Sequence, residues 1–77
     1  MPTILRSGPY RLYFYSHEPN EPPHIHVDRD RATCKFWLQE VALASSLGFS
    51  AAEQREIERL VSANRPMLLK TWEEFHG

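Results

Sequence analysis

The spacing of the apolar residues changes at Ser50, and this change restricts the folds open to the chain. Before Ser50, apolar and polar residues alternate in short runs, the period of half-buried β-strands. After it, apolar residues recur every three or four positions, the period of an amphipathic helix. The helical set is Ile57, Leu60, Val61, Leu68, Trp72 and Phe75. This order predicts an α+β domain: a small antiparallel sheet of three or four strands with C-terminal helical structure packed on one face.

The helical region has a clear start and an ambiguous middle. Ser50 and Glu53 have the spacing of a capping box, in which each residue bonds a backbone N–H of the other. Pro66 then interrupts the apolar stripe. It fits one helix kinked at the proline, or two helices separated near Asn64 with Pro66 in the first turn of the second. The sequence leaves both arrangements open.

The strand predictions come from aromatic and β-branched runs bounded by turn residues. Four runs qualify, at residues 1–6, 10–16, 24–28 and 32–38. The first two are expected to form a hairpin, because Ser7, Gly8 and Pro9 between them are turn residues. Residues 17–23 are a proline-rich loop, and residues 41–44 fit either a short further strand or a turn.

Length and composition limit the class of protein. A chain of 77 residues is long enough for one domain, residues 1–77, with a single small core. Cys34 is the only cysteine, so a disulfide scaffold is excluded and a reducing, cytoplasmic setting is expected. No apolar run approaches the ~20 residues of a membrane span, so no membrane association is expected. The net charge of −1 gives no general basic field for nucleic acid.

Alternation assigns two faces to the predicted sheet. The apolar face should lie under the helical region and comprises Leu12, Phe14, Ile25, Val27, Cys34, Phe36 and Leu38. The opposite face carries Arg11, Tyr13, Tyr15, His24, His26, Asp28, Lys35 and Trp37. No other part of the sequence is available to cover this second face. We therefore predict that it is exposed and that it binds a partner.

The run from Pro22 to Val27 is the most distinctive part of the second face. Pro22 and Pro23 have a structural role, because two prolines make the chain enter the strand stiff and extended. His24 and His26 then lie side by side on one strand face, roughly 6–7 Å apart at the backbone. They are the candidate catalytic residues, since two imidazoles that titrate near neutral pH can act as the base and acid of RNA cleavage.

The neighbouring cations and aromatic residues fit the same RNA hypothesis. Lys35 and Arg11 would hold a phosphate, and Tyr13, Tyr15 and Trp37 would stack on bases. No metal or cofactor is expected. Zinc needs about four ligands, and no second spaced ligand pair accompanies the histidines. The nearby candidates are His17, Glu18, Glu21 and Asp28.

The same residues also fit a protein interface. Arg11, Tyr13, Tyr15, Lys35 and Trp37 are of the types enriched where proteins bind proteins, either a cognate partner or a second copy of this chain. In that interpretation His24 and His26 are packing residues or form a surface metal site. The two hypotheses share one surface and differ in what binds to it.

Several runs of the sequence resemble a family of small bacterial proteins, the domain of unknown function DUF4160. The matching runs are residues 1–4, 10–16, 21–27, 32–38, 48–50 and 72–75. Pro22, Pro23, His24 and His26 match the family's most specific motif. Members of the family are similar to components of type II toxin–antitoxin pairs and often lie beside a gene for another small protein.

The resemblance implies a cognate small protein, such as an antitoxin, as the partner. It implies no catalytic residue. The leading hypothesis from the sequence is therefore a toxin-like ribonuclease that needs no metal, and the alternative is a non-catalytic interaction module.

Overall fold

The computed structural model describes residues 3–15 and 20–76. Residues 1–2, 16–19 and 77 lie outside these ranges. The start of the predicted first strand, the last residue of the predicted second strand and residues 17–19 of the proline-rich loop are therefore not described. The strands are β1 (Thr3–Ser7), β2 (Tyr10–Tyr13), β3 (His24–Arg29), β4 (Ala32–Trp37) and β5 (Ala42–Leu47). The helices are α1 (Ala51–Ala63) and α2 (Arg65–His76).

The five strands form one antiparallel sheet in the order β1-β2-β3-β4-β5, with every strand beside its sequence neighbour. The predicted α+β class is confirmed, and the sheet has one strand more than the expected maximum of four. The additional strand, β5, includes residues 42–44 of the region 41–44 that the sequence left open and continues to Leu47. Its composition explains the ambiguity, because alanine and serine favour strands only weakly.

Both edges of the sheet contain a bulge. The register of β1 against β2 shifts between Thr3 and Leu5, and the register of β5 against β4 shifts between Lys35, which pairs with Ser45, and Phe36, which pairs with Leu43. A bulge bends and twists a strand, which interrupts the flat row of backbone groups that another strand could pair with. The edges are therefore poor templates for strand addition.

The capping box at the start of α1 is confirmed. The Glu53 N–H donates to Ser50 Oγ at 3.1 Å, and the Ser50 N–H donates to Glu53 Oε1 at 3.1 Å. Glu53 also accepts a hydrogen bond from Arg29 Nη2 at 2.5 Å. The cap thus ties the first turn of α1 to the end of β3. Gly48, just before the cap, has φ +90°, and a Cβ there would lie 3.2 Å from the Cβ of Ala32.

The helical region consists of two helices, so the alternative of one kinked helix is wrong. Asn64 separates them: its backbone N–H and its side-chain Nδ2 both donate to the Leu60 carbonyl, at 3.2 and 2.9 Å. Pro66 lies in the first turn of α2, where its missing N–H costs no helical hydrogen bond. Arg65 joins the second helix to the end of β4, because its guanidinium donates to the carbonyls of Leu38 and Gln39, both at 2.6 Å.

The core lies between the helices and one face of the sheet, which we call the inner face. All seven residues predicted for this face are buried, together with Ile57, Val61, Leu68 and Trp72 of the helices. Burial raises the pKa of the Cys34 thiol to about 12. Phe75 is an exception to the helical stripe, because it is exposed near the end of α2.

The link between Arg29 and the capping box predicts a pH-dependent contribution to stability. Hydrogen bonding by the Ser50 backbone N–H, aided by Arg29, holds the pKa of Glu53 below its ordinary value of 4.5. The carboxylate therefore stabilises the fold above that pH, and the contribution is lost as the pH falls through the lowered pKa. We expect Glu53→Gln to lower the urea midpoint at neutral pH and to have little effect at pH well below 4.5.

Urea unfolding followed by tryptophan fluorescence across this pH range measures the difference. Glu58→Gln is the matched control, since Glu58 is an exposed carboxylate on the same helix. An equal loss from both substitutions, or a loss from Glu53→Gln that persists at low pH, would contradict the assignment.

Candidate functional site

The register arranges the face opposite the helices, the outer face, in three rows. Residues directly opposite each other on antiparallel strands share a face. The first row contains Arg6, Arg11, Asp28, Thr33 and Leu47; the second contains Thr3, Tyr13, His26, Lys35 and Ser45; the third contains His24, Trp37 and Ala42. The rows bring together the predicted site residues of the three central strands. Tyr15, just beyond β2, joins them through ring contacts with Tyr13 and His26.

His24 is completely buried, and the expectation that it is exposed is wrong. Its Nδ1 lies 2.9 Å from the Pro22 carbonyl oxygen, and its ring centroid is 4.7 Å from that of Trp72 on α2. A carbonyl only accepts, so Nδ1 carries the proton that makes this bond. Alternation indicates which side of a strand a residue occupies, and it does not show that α2 covers the strand's first residue.

The Pro22-Pro23 corner is held by backbone contacts. Besides the contact of Pro22 with His24, the Pro23 carbonyl accepts a hydrogen bond from the Leu38 N–H at 3.0 Å. The corner thus fixes the start of β3 against the end of β4. Beside it lies an open depression of about 500 Å³, lined by both prolines, Trp37 and Ala42.

His26 occupies the centre of the outer face and is partly buried. Its ring stacks on Tyr13 with 5.3 Å between centroids and 21° between planes, and it meets the Tyr15 ring edge-on at 4.8 Å. The His24 ring is 5.0 Å away, so the two imidazoles are neighbours as the motif predicts. His26 also lines a shallow pocket of about 300 Å³ with Tyr15, Lys35 and Leu47.

Tyr13 is only 4 % exposed, so the expectation that it offers an open stacking surface is wrong. His26 stacks on it, and the Arg11 guanidinium lies over its ring at 4.6 Å. Its hydroxyl donates to Asp28 Oδ1 at 3.1 Å. Burial foremost, with the Asp28 carboxylate in addition, raises the pKa of the phenol, which stays neutral at physiological pH. Tyr13 is the supporting floor of the pocket.

The charged residues of the outer face are of both signs. Lys35 forms an ion pair with Glu21, and its ammonium lies 4.6 Å from the centroid of the Trp37 ring. Asp28 Oδ1 also accepts a hydrogen bond from Thr33 at 2.6 Å. Arg11 donates through Nε to Thr3 Oγ1 at 2.7 Å. Lys35 is therefore already paired with a carboxylate, whereas Arg11 contacts the neutral side chains of Thr3 and Tyr13.

Several members of the outer face escaped the sequence analysis. Leu47 and Ser45 were missed because β5 was unassigned, and Arg6 because its register against Arg11 could not be known. His76 was also missed, although it follows Trp72 by one helical turn. Its ring stacks on the Trp72 indole at 3.8 Å, and its Nε2 lies 3.0 Å from the Tyr15 carbonyl oxygen.

Residues 3–15 and 20–76 contain no group of three or more His, Cys, Asp or Glu side chains placed to hold a metal ion. His17 and Glu18, two of the candidate ligands, lie outside these ranges. No helix within them is long and apolar enough to cross a membrane.

Comparison with known proteins gives one match. A family model described as "Domain of unknown function (DUF4160)" matches residues 10–73, which include strands β2 to β5, the whole of α1 and most of α2. No curated protein and no solved structure matches the chain significantly.

The geometry predicts different effects for the two histidines. His24→Ala removes a buried ring and its bond to Pro22, and should cost about 2–4 kcal/mol of folding free energy. His26→Ala loses mainly ring contacts and should cost about 1 kcal/mol. His24→Asn retains a donor for the carbonyl and should fall between them. Urea denaturation of the three variants measures the order, and equal costs for the two alanine variants would contradict the burial of His24.

Proposed function

The chain belongs to the family of the domain of unknown function DUF4160, and from that premise we propose that it is a non-catalytic interaction module. It binds a cognate small protein through the outer face, as one member of a pair of the toxin–antitoxin type. The observation that carries this proposal is the layer arrangement. Both helices contribute their buried residues to the core under the inner face. The outer face keeps large apolar side chains in solvent, among them Leu47 at 71 % and Tyr15 at 43 % exposure.

The chemistry of the outer face supports a protein partner. Interfaces between proteins combine aromatic anchors with polar and charged groups at the rim. Here Tyr15 and Trp37 lie beside the two depressions, and Lys35 and Glu21 form an ion pair close to them. A surface of this kind buries apolar area on binding and offers hydrogen-bonding groups around it.

The two histidines of the motif support the same proposal. A pair of proton-transfer catalysts must both reach the substrate. His24 is completely buried and bonded to its own loop, so its role is to hold the Pro22-Pro23 corner. This leaves His26 as the histidine of the motif with a ring on the pocket.

A ribonuclease is the second candidate, and one observation favours it. His26 lies directly opposite Lys35 on the neighbouring strand, and both line the pocket beside Tyr15. In this arrangement His26 would transfer a proton at the 2′-hydroxyl, Lys35 would contact the phosphate, and Tyr15 would stack on a base. The ion pair with Glu21 would have to open for Lys35 to do so.

The interaction proposal is tested by comparing two leucines on the same strand. Leu47 lies opposite Thr33 and faces outward, whereas Leu43 lies opposite Phe36 and faces the helices, with 41 % exposure. With the proposed cognate small protein as the probe, we expect Leu47→Ser and Tyr15→Ser each to weaken binding about ten-fold. Leu43→Ser should leave the Kd unchanged.

Isothermal titration calorimetry on the folded variants gives the Kd values. The proposal fails if Leu47→Ser and Tyr15→Ser bind as the parent does, or if Leu43→Ser weakens binding equally.

Cleavage of total RNA after induced expression in bacterial cells separates the two candidate functions. If the chain is a binding module, we expect expressing cells to show no His26-dependent cleavage of RNA. The variants are His26→Asn and Lys35→Gln, with Lys70→Gln as the control because Lys70 is an exposed lysine on α2. Cleavage of total RNA by the parent and by Lys70→Gln, lost in both folded pocket variants, would replace the module by the ribonuclease.

A further inference from the structure

Two arginines face each other on the outer face at one edge of the sheet. Arg6 of β1 lies directly opposite Arg11 of β2. Like charges at directly opposite positions of a sheet lower its stability. Among residues 3–15 and 20–76, no carboxylate forms an ion pair with either guanidinium. The fold therefore carries a like-charge pair with no described carboxylate within ion-pair distance of either guanidinium.

The nearest carboxylate in the row is engaged elsewhere. Asp28 lies opposite Arg11 on β3, yet its Oδ1 accepts hydrogen bonds from Tyr13 at 3.1 Å and Thr33 at 2.6 Å. Asp28 thus orders the floor of the pocket and makes no ion pair with the arginine beside it.

Arg11 is held ready for an anion. Its Nε donates to Thr3 Oγ1, and its guanidinium lies over the Tyr13 ring. Both contacts leave the two terminal nitrogens of Arg11 available to a ligand, and their planar arrangement matches the two oxygens of a carboxylate. Because the side chain is already fixed, less conformational entropy is lost when an anion binds.

We infer that Arg6 and Arg11 are a docking site for an acidic polypeptide segment, whose carboxylates bind the arginine pair while its apolar side chains pack beside Tyr15. This inference rests on the proposed function, since it states the chemistry of the partner. The distribution of charge favours a peptide over RNA. A continuous phosphate backbone on this face would also meet the carboxylates of Asp28 and Glu21, and the chain has a net charge of −1. A peptide can place carboxylates at the arginines alone.

The inference predicts that stability and binding change in opposite directions. Arg6→Gln relieves the like-charge pair and should raise the Tm by about 1–4 °C, while weakening the binding of acidic peptides. An arginine with a purely structural role would lower the Tm when it is removed. Arg55→Gln on α1 is the matched control, since Arg55 is exposed and lies on the other layer of the fold.

The probes are fluorescein-labelled peptides of alternating glutamate and tyrosine, the counterpart with glutamine in place of glutamate, and a labelled uridine oligonucleotide. We expect the glutamate peptide to bind at least about five-fold more tightly than the glutamine peptide, with the preference reduced by salt. Arg6→Gln and Arg11→Gln should abolish the preference, and Arg55→Gln should keep it. Fluorescence anisotropy measures all of these affinities.

Three results would overturn the inference: equal affinity for the two peptides, a preference that survives both arginine substitutions, or tighter arginine-dependent binding of the oligonucleotide. Failure of the inference is distinguishable from failure of the proposed function. If Leu47→Ser weakens binding of the cognate protein and Arg6→Gln does not, the interaction module stands and the acidic segment is wrong. If neither substitution weakens it, both are wrong.

Discussion

The indole of Trp72 joins the three parts of the molecule on which the outer face depends. It meets Phe14 of the inner face edge-on at 5.3 Å, packs on the His24 ring at 4.7 Å and stacks on His76 at 3.8 Å. These contacts fix α2 to the core and to the first residue of β3, and the His76 ring in turn lies against the Tyr15 carbonyl oxygen. In a domain this small, a large buried aromatic residue at such a junction contributes strongly to stability.

The contact of Trp72 with His24 gives the two histidines different structural roles. His24 has a structural role, because its imidazole contacts both the Pro22 carbonyl and the Trp72 indole. His26 belongs to the surface, where it supports Tyr15 and lines the pocket. The two histidines of one short motif thus make different contacts, and their spacing alone does not mark a catalytic pair. Because both edges of the sheet are bulged, neither edge offers a regular row of backbone groups for strand pairing.

The sequence predicts the layers well, because both rest on strong periodicities. Alternation placed every inner-face residue correctly, and the Ser50–Glu53 spacing located the start of α1. It fails where the outcome depends on contacts between distant elements. The burial of His24 can be predicted only if the contact between α2 and β3 is known. The Arg6–Arg11 pair can be predicted only from the register of β1 against β2, which the bulge near Thr3 shifts. The sequence does not assign β5, because its alanines and serines have weak strand preference. The structure has two helices and not one kinked helix, because Asn64 ends α1 with its hydrogen bonds to the Leu60 carbonyl.

The aromatic rings of the outer face are partly covered by other side chains of the same face. Arg11 lies over Tyr13, Lys35 lies over Trp37, and His26 stacks against Tyr13, so the rings cover one another and present cations to solvent. These cation–π contacts are each worth about 0.5–1 kcal/mol at exposed sites. They are weak enough to be exchanged for contacts with a partner. The arginine pair fits the same pattern, because an arrangement that lowers the stability of the free chain is one that a carboxylate of the partner would relieve.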